Sequence, residues 1–153
     1  MGKGAIVAIA AVLVAMILVV SGCGSDSDTS SDAPLTRAEF QKQANEICKT
    51  GHQEAEASFE EASQGSKPGD FDDAAKEDLV TEAFVDPYSE MVEGLQDLSP
   101  PAGDEQEVEA IIAAMEKGLE RLEDDPLSGL TSVSMFKEAN KLNAKYGLES
   151  CIV

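Results

Sequence analysis

From Phe40 to Tyr146 the apolar residues recur every three or four positions, and no stretch sustains the every-second alternation of branched apolar residues that marks a half-buried strand. That period is the strongest constraint on the fold, because it lays a continuous apolar stripe along a helix. Phe40, Ala44, Ile47, Gly51, Ala55, Phe59 and Ala62 form the first stripe. It opens on Leu35-Thr36-Arg37-Ala38-Glu39-Phe40, where Thr36 and Glu39 have the spacing of a reciprocal capping box and Leu35 can pack on Phe40. Gly65-Ser66-Lys67-Pro68-Gly69 ends it. A second stretch starts near Asp70 to Asp73, whose acids suit a helix N-terminus, and carries Leu79, Ala83, Phe84, Tyr88, Met91, Leu95 and Leu98. Pro87 interrupts it and predicts a kink, or a junction of two helices, near Asp86. Beyond the loop Ser99-Pro100-Pro101-Ala102-Gly103, Asp104 and Glu107 offer another capping pair ahead of Val108, Ile111, Ile112, Met115, Leu119 and Leu122. Asp124-Asp125-Pro126 stops this third helix, and a last one is predicted from about Val133 through Phe136, Ala139, Leu142 and Tyr146 to Gly147. Short loops between such stripes predict an all-α fold, an antiparallel bundle of three to four helices.

A different kind of segment precedes this domain. Lys3 is followed by the uncharged run Ala5 to Val20 and then by Ser21, Gly22 and Cys23, the layout of a secretion signal. Val20-Ser21-Gly22-Cys23 resembles the lipobox of bacterial lipoproteins: a branched apolar residue, two small residues, and the cysteine that is acylated and becomes the new N-terminus. Residues 1–22 are therefore expected to be a lipoprotein signal peptide, with cleavage before Cys23 and lipid on that cysteine. Gly24-Ser25-Asp26-Ser27-Asp28-Thr29-Ser30-Ser31-Asp32 holds no apolar residue to bury, so residues 23–34 read as an acidic Ser/Asp-rich tether. A coil of about 11 residues spans roughly 18 Å, which keeps the helical domain, residues 35–153, close to the membrane.

The formal charge of -19 includes one base from the leader, Lys3. A mature chain so acidic disfavours nucleic acid and anionic headgroups as partners, because both are polyanions. Assigning Cys23 to lipid leaves Cys48 and Cys151 as a possible intrachain pair, and export into an oxidising space predicts their disulfide. It would tie the segment from Leu148 to Val153 onto the first helix. His52 stands one helical turn after Cys48, so the three could form a soft metal corner, but no fourth ligand or paired close spacing accompanies them. The expectation is a disulfide beside an exposed His52, with no metal and no cofactor. One histidine in the whole chain also excludes a carboxylate-bridged di-metal bundle with a Glu-x-x-His from each of two helices.

Catalytic strings do not survive inspection. Ser134-Met135-Phe136-Lys137 and Lys49-Thr50-Gly51 imitate the S-x-x-K and K-T-G elements of penicillin-binding enzymes, but their order is reversed and the S-D-N element is absent. No nucleophile, base and orienter set is legible, so no catalytic residue is assigned and the protein is expected not to be an enzyme. The absence of tryptophan weakens a sugar-binding reading.

The lipobox, the acidic tether, a first helix containing Phe40 and Cys48, the Pro100-Pro101 break and a closing Tyr146-Gly147-Leu148 with Cys151 together resemble small helical lipoproteins of high-GC Gram-positive bacteria. The resemblance implies a location, the extracytoplasmic face of the cell membrane, and a helical fold, without an activity. The expected function is a membrane-anchored, non-enzymatic binding or structural module, held by lipid on Cys23 and paired with an envelope protein. A patch around Pro87, with Tyr88 and Met91 partly uncovered, is the expected contact. The alternative is a small-ligand or divalent-cation binder using Asp70, Asp72 and Asp73 or Glu123, Asp124 and Asp125.

Overall fold

The computed structural model describes residues 34–153, and within them every regular element is helical, with no strand. The expected leader and lipobox, Val20 to Cys23, and nearly all of the tether lie outside the described residues. Residues 34–153 belong to one compact unit whose buried core runs from Phe40 to Cys151, so this part carries a core of its own. None of the described helices is long and apolar enough to cross a membrane.

Helix α1 spans Arg37–Ser63 and starts where the capping pair predicted. The Glu39 backbone N–H donates to Thr36 Oγ1 at 3.3 Å, and the Thr36 N–H donates back to Glu39 Oε2 at 2.9 Å. The helix ends in two left-handed residues, Gln64 and Gly65, a conformation glycine enters without a Cβ penalty.

The second stretch is divided near Asp86, as Pro87 predicted. It runs as α2, Asp73–Val80, a π-helical turn, Thr81–Val85, and α3, Asp86–Gln96. The π-turn meets α3 at Asp86, where a junction was expected, and the chain keeps right-handed helical dihedrals at Val85 and Asp86. Pro87 has no N–H to give and its ring crowds the carbonyl one turn back, and the preceding turn widens into a π-turn that accommodates both. Thr81 Oγ1 donates to the Glu77 carbonyl at 3.0 Å, a back-bond that loosens the same turn. Asp72 caps α2 through the Ala75 N–H at 2.9 Å.

Helix α4, Glu105–Asp124, begins where Asp104 and Glu107 suggested, but the two acids do not cap it. The Asp104 carboxylate accepts from the Tyr146 hydroxyl at 2.8 Å and pairs with Arg37 at 3.4 Å. Glu107 pairs with Lys145 at 2.7 Å and with Arg37 at 3.6 Å, while the Arg37 guanidinium lies 4.2 Å above the Tyr146 ring. A pair read as local capping is thus used to join the start of α1, the start of α4 and the segment around Lys145 and Tyr146. The short α5, Pro126–Gly129, is capped by Asp125, and a 3-10 turn, Ser134–Phe136, leads into α6, Lys137–Tyr146. Gly147, at φ 88°, ends α6 in the left-handed conformation expected of it.

Helix α1 packs against α3 and the π-turn, α3 against α4, and α4 against α6 and the 3-10 turn before it. Phe40 meets Tyr146 edge-on at 5.9 Å between ring centres, the geometry that ring quadrupoles favour. The final segment is laid on α1 by side-chain amides: Gln41 Nε2 donates to the Tyr146 carbonyl, Asn45 Nδ2 donates to that of Gly147, and Asn45 Oδ1 accepts from the Ser150 N–H. Cys48 and Cys151 come to disulfide distance there, with Cα atoms 5.0 Å apart and both side chains buried.

Candidate functional site

Seven elements converge on one apolar cavity of about 320 Å³. Helix α1 contributes His52, Ala55, Glu56 and Phe59, because positions 52, 55, 56 and 59 share a helical face. The π-turn supplies Phe84, and Val80 precedes it. Helix α3 gives Tyr88, α4 gives Leu122, and the segment from α5 to the 3-10 turn closes the far side with Gly129, Val133, Met135 and Phe136. Val153 completes the lining. The size falls at the lower end for small-molecule sites, and the lining is almost wholly hydrocarbon, as such sites usually are.

Two polar atoms lie buried within the residues that line the cavity. His52 Nε2 and Tyr88 Oη are buried, and neither has a protein hydrogen-bond partner. Their rings lie 6.3 Å apart, and Tyr88 is only 5 % exposed. A buried hydroxyl or ring nitrogen left without a partner costs on the order of 1–3 kcal/mol, so two in neighbouring residues are an expense that core packing does not explain. Desolvation holds the His52 ring below the usual histidine range, opposed by a hydrogen bond to the Ser150 backbone that does not outweigh it. Burial pushes the Tyr88 hydroxyl well above the usual tyrosine range. Both groups are therefore neutral near pH 7.

The cavity exists because neighbours are small or displaced. A Cβ at Gly118 would run into the Phe136 ring, so that glycine lets Phe136 sit deep against α4 and pack on Tyr88 at 4.7 Å. The widened π-turn leaves Phe84 38 % exposed, facing Phe59 at 6.0 Å. Val133, half exposed, stands among the same lining residues.

Several expectations are corrected here. Tyr88 and Met91 are not partly uncovered beside Pro87: both are buried, because helical geometry continues through Pro87 and turns them inward, and Phe84 is the exposed aromatic instead. His52 is not an exposed neighbour of the disulfide but a partly buried wall of the cavity, carried there by the face it shares with Ala55 and Phe59. The acid trios do not converge. Asp70 bonds the Lys67 N–H, Asp73 pairs with Lys76 at 2.8 Å, and Asp125 caps α5; no group of three or more His, Cys, Asp or Glu that could hold a metal occurs among the described residues. Ser134 and Lys137 are surface residues, and Lys49-Thr50-Gly51 lies inside α1.

A more open groove of about 460 Å³ between α1 and α3 carries Glu46, Glu54 and Glu90, but none of its lining atoms is a buried polar group lacking a partner. The His52–Tyr88 cavity is the stronger candidate for that reason. No protein-family model, no curated protein and no solved structure matches the chain.

Proposed function

We propose that this protein is a membrane-tethered lipoprotein of the extracytoplasmic face, whose folded part is a non-enzymatic binding module that holds a small, largely apolar ligand in the His52–Tyr88 cavity. The observation that carries the reading is an almost wholly hydrocarbon cavity of about 320 Å³, lined in part by two residues, His52 and Tyr88, whose buried polar atoms have no protein partner. Hydrocarbon lining supplies affinity by excluding water, and a few placed polar groups supply orientation, which is the division of labour in small-molecule sites. The helices α1, α3, α4 and α6 act as an antiparallel bundle that supports the cavity, a reading supported by their successive contacts and by helix spacing along the chain. The tethering reading rests on Val20-Ser21-Gly22-Cys23 after a signal-like apolar run.

Titration of residues 34–153 with the apolar fluorophore N-phenyl-1-naphthylamine tests the binding reading. Saturable one-to-one binding is expected, and it is lost when Ala55→Phe fills the cavity. Failure of the fluorophore to bind, or binding unaffected by that substitution, removes the cavity as a ligand site. Anchoring is tested separately by metabolic labelling with a fatty-acid analogue, where Cys23→Ser is expected to abolish the label.

A further inference from the structure

The mouth of the cavity combines exposed hydrocarbon with charge of one sign. Phe84 and Val133, two of the three large hydrophobic side chains left exposed among the described residues, belong to its lining. Glu56 is the one Asp, Glu, Lys or Arg on that lining, and it is exposed. No ion pair engages it among the described residues. Glu56 lies three residues before Phe59 on α1, a spacing that makes the two neighbours on the helix surface, and the Phe59 ring stands 6.0 Å from that of Phe84. A carboxylate and two aromatic rings thus border the opening, ahead of a hydrocarbon wall that includes Ala55, Val80 and Leu122.

The chain around the cavity supplies no counter-charge. Residues 50–63, 81–98 and 122–136 provide every lining residue except Val80 and Val153, and they carry acids, Glu54, Glu60, Glu82 and Glu123 among them, without a single lysine or arginine. This local imbalance matters more than the net charge of -19, because exposed charges beyond about 8 Å are largely screened at physiological ionic strength. An anionic head group at the mouth meets repulsion from Glu56 and finds no cation to pair with. A neutral one gains nothing from the carboxylate. A cation gains from Glu56, and the exposed Phe84 ring adds the attraction of its quadrupole. The body of such a ligand leaves water for hydrocarbon, and about 320 Å³ has room for roughly ten water-sized groups, so the attached chain is of medium length.

We infer that the cavity takes a cationic amphiphile, an amine or quaternary ammonium on a hydrocarbon chain of medium length, with the cation at the mouth beside Glu56 and the chain inside. The inference rests on the reading of the cavity as a ligand site and adds the charge of the head group. Displacement of bound N-phenyl-1-naphthylamine from residues 34–153 by octyltrimethylammonium and by octanoate, two probes with similar chains and opposite charge, tests it at neutral pH. In low salt the cation is expected to bind about tenfold more tightly than the anion, and about 0.5 M NaCl should narrow that ratio. Glu56→Gln is expected to weaken octyltrimethylammonium about threefold and to leave the fluorophore unchanged, and Glu56→Lys should remove the preference for the cation. Glu109→Gln removes the same net charge from an exposed acid on a separate groove, beside α4, and should leave the ratio as it was. Octanoate binding as tightly as octyltrimethylammonium, or equal responses to Glu56→Gln and Glu109→Gln, overturns the head-group assignment, while fluorophore binding keeps the cavity as a ligand site. If the fluorophore does not bind, both readings fall together.

Discussion

Tyr88→Phe is expected to stabilise the ligand-free protein, which is the opposite of what most substitutions at a buried aromatic do. The reasoning is arithmetic on one oxygen atom. Tyr88 Oη is buried and has no protein partner, so the folded state carries its desolvation cost of about 1–3 kcal/mol without a compensating hydrogen bond. Removing the oxygen breaks no bond and leaves the ring against Phe136 and His52. The enlarged void, about half of a water's roughly 30 Å³, costs about 0.4 kcal/mol at about 24 cal/mol per Å³. The balance is a gain of about 0.6–2.6 kcal/mol, which for a domain of this size is a rise of about 2 °C or more in Tm.

Urea denaturation and thermal melting of residues 34–153, wild type against Tyr88→Phe, read the effect directly. A loss of about 1 kcal/mol or more in the variant would refute the reasoning, since it would mean that the hydroxyl has a hydrogen-bond partner in solution.

Replacing Cys48 and Cys151 together by serine is expected to cost up to about 4–5 kcal/mol, the chain-entropy value for a loop of about 100 residues, with the Cys48–Cys151 peptide in non-reducing maps as the independent check. Stability is expected to be level from about pH 7 to 10 and to fall on both sides. Below about pH 6.5 the unfolded chain protonates His52, whereas desolvation makes the folded ring resist, so stability drops as pH falls. The chain has one histidine and the only other charged side chain lining the cavity is Glu56, so His52→Gln should flatten this limb in urea midpoints. Above about pH 10 the unfolded tyrosines ionise while burial, joined at Tyr146 by its bond to Asp104, keeps Tyr88 and Tyr146 protonated in the fold, so stability is lost there too. Gly118→Ala is expected to destabilise by about 1–2 kcal/mol despite alanine's better helix propensity, because the new Cβ meets the buried Phe136 ring; a more stable variant in the same melts would contradict that packing.

Local signals in the chain were enough to determine the helices. Thr36 and Glu39 cap α1, Gly147 ends α6, and the three-to-four spacing of apolar residues marks the buried faces, because these effects act within one or two turns and need no distant partner. The same logic located a break near Pro87 but not its form, since a widened turn and a kink remove the same hydrogen bond and differ in how neighbours pack. What only the tertiary structure decided is the use made of polar side chains. Asp104 and Glu107 have capping spacing, yet Arg37, Tyr146 and Lys145 arrive from other helices and take their carboxylates. Gln41 and Asn45 look like solvated surface until the final segment lies across them. Likewise His52, Phe84, Tyr88 and Phe136 are spread over four elements, and no spacing along the chain relates them. Their meeting around one cavity depends on the depth to which Gly118 admits Phe136 and on the turn that swings Phe84 outward, and both are set by packing between segments far apart in sequence.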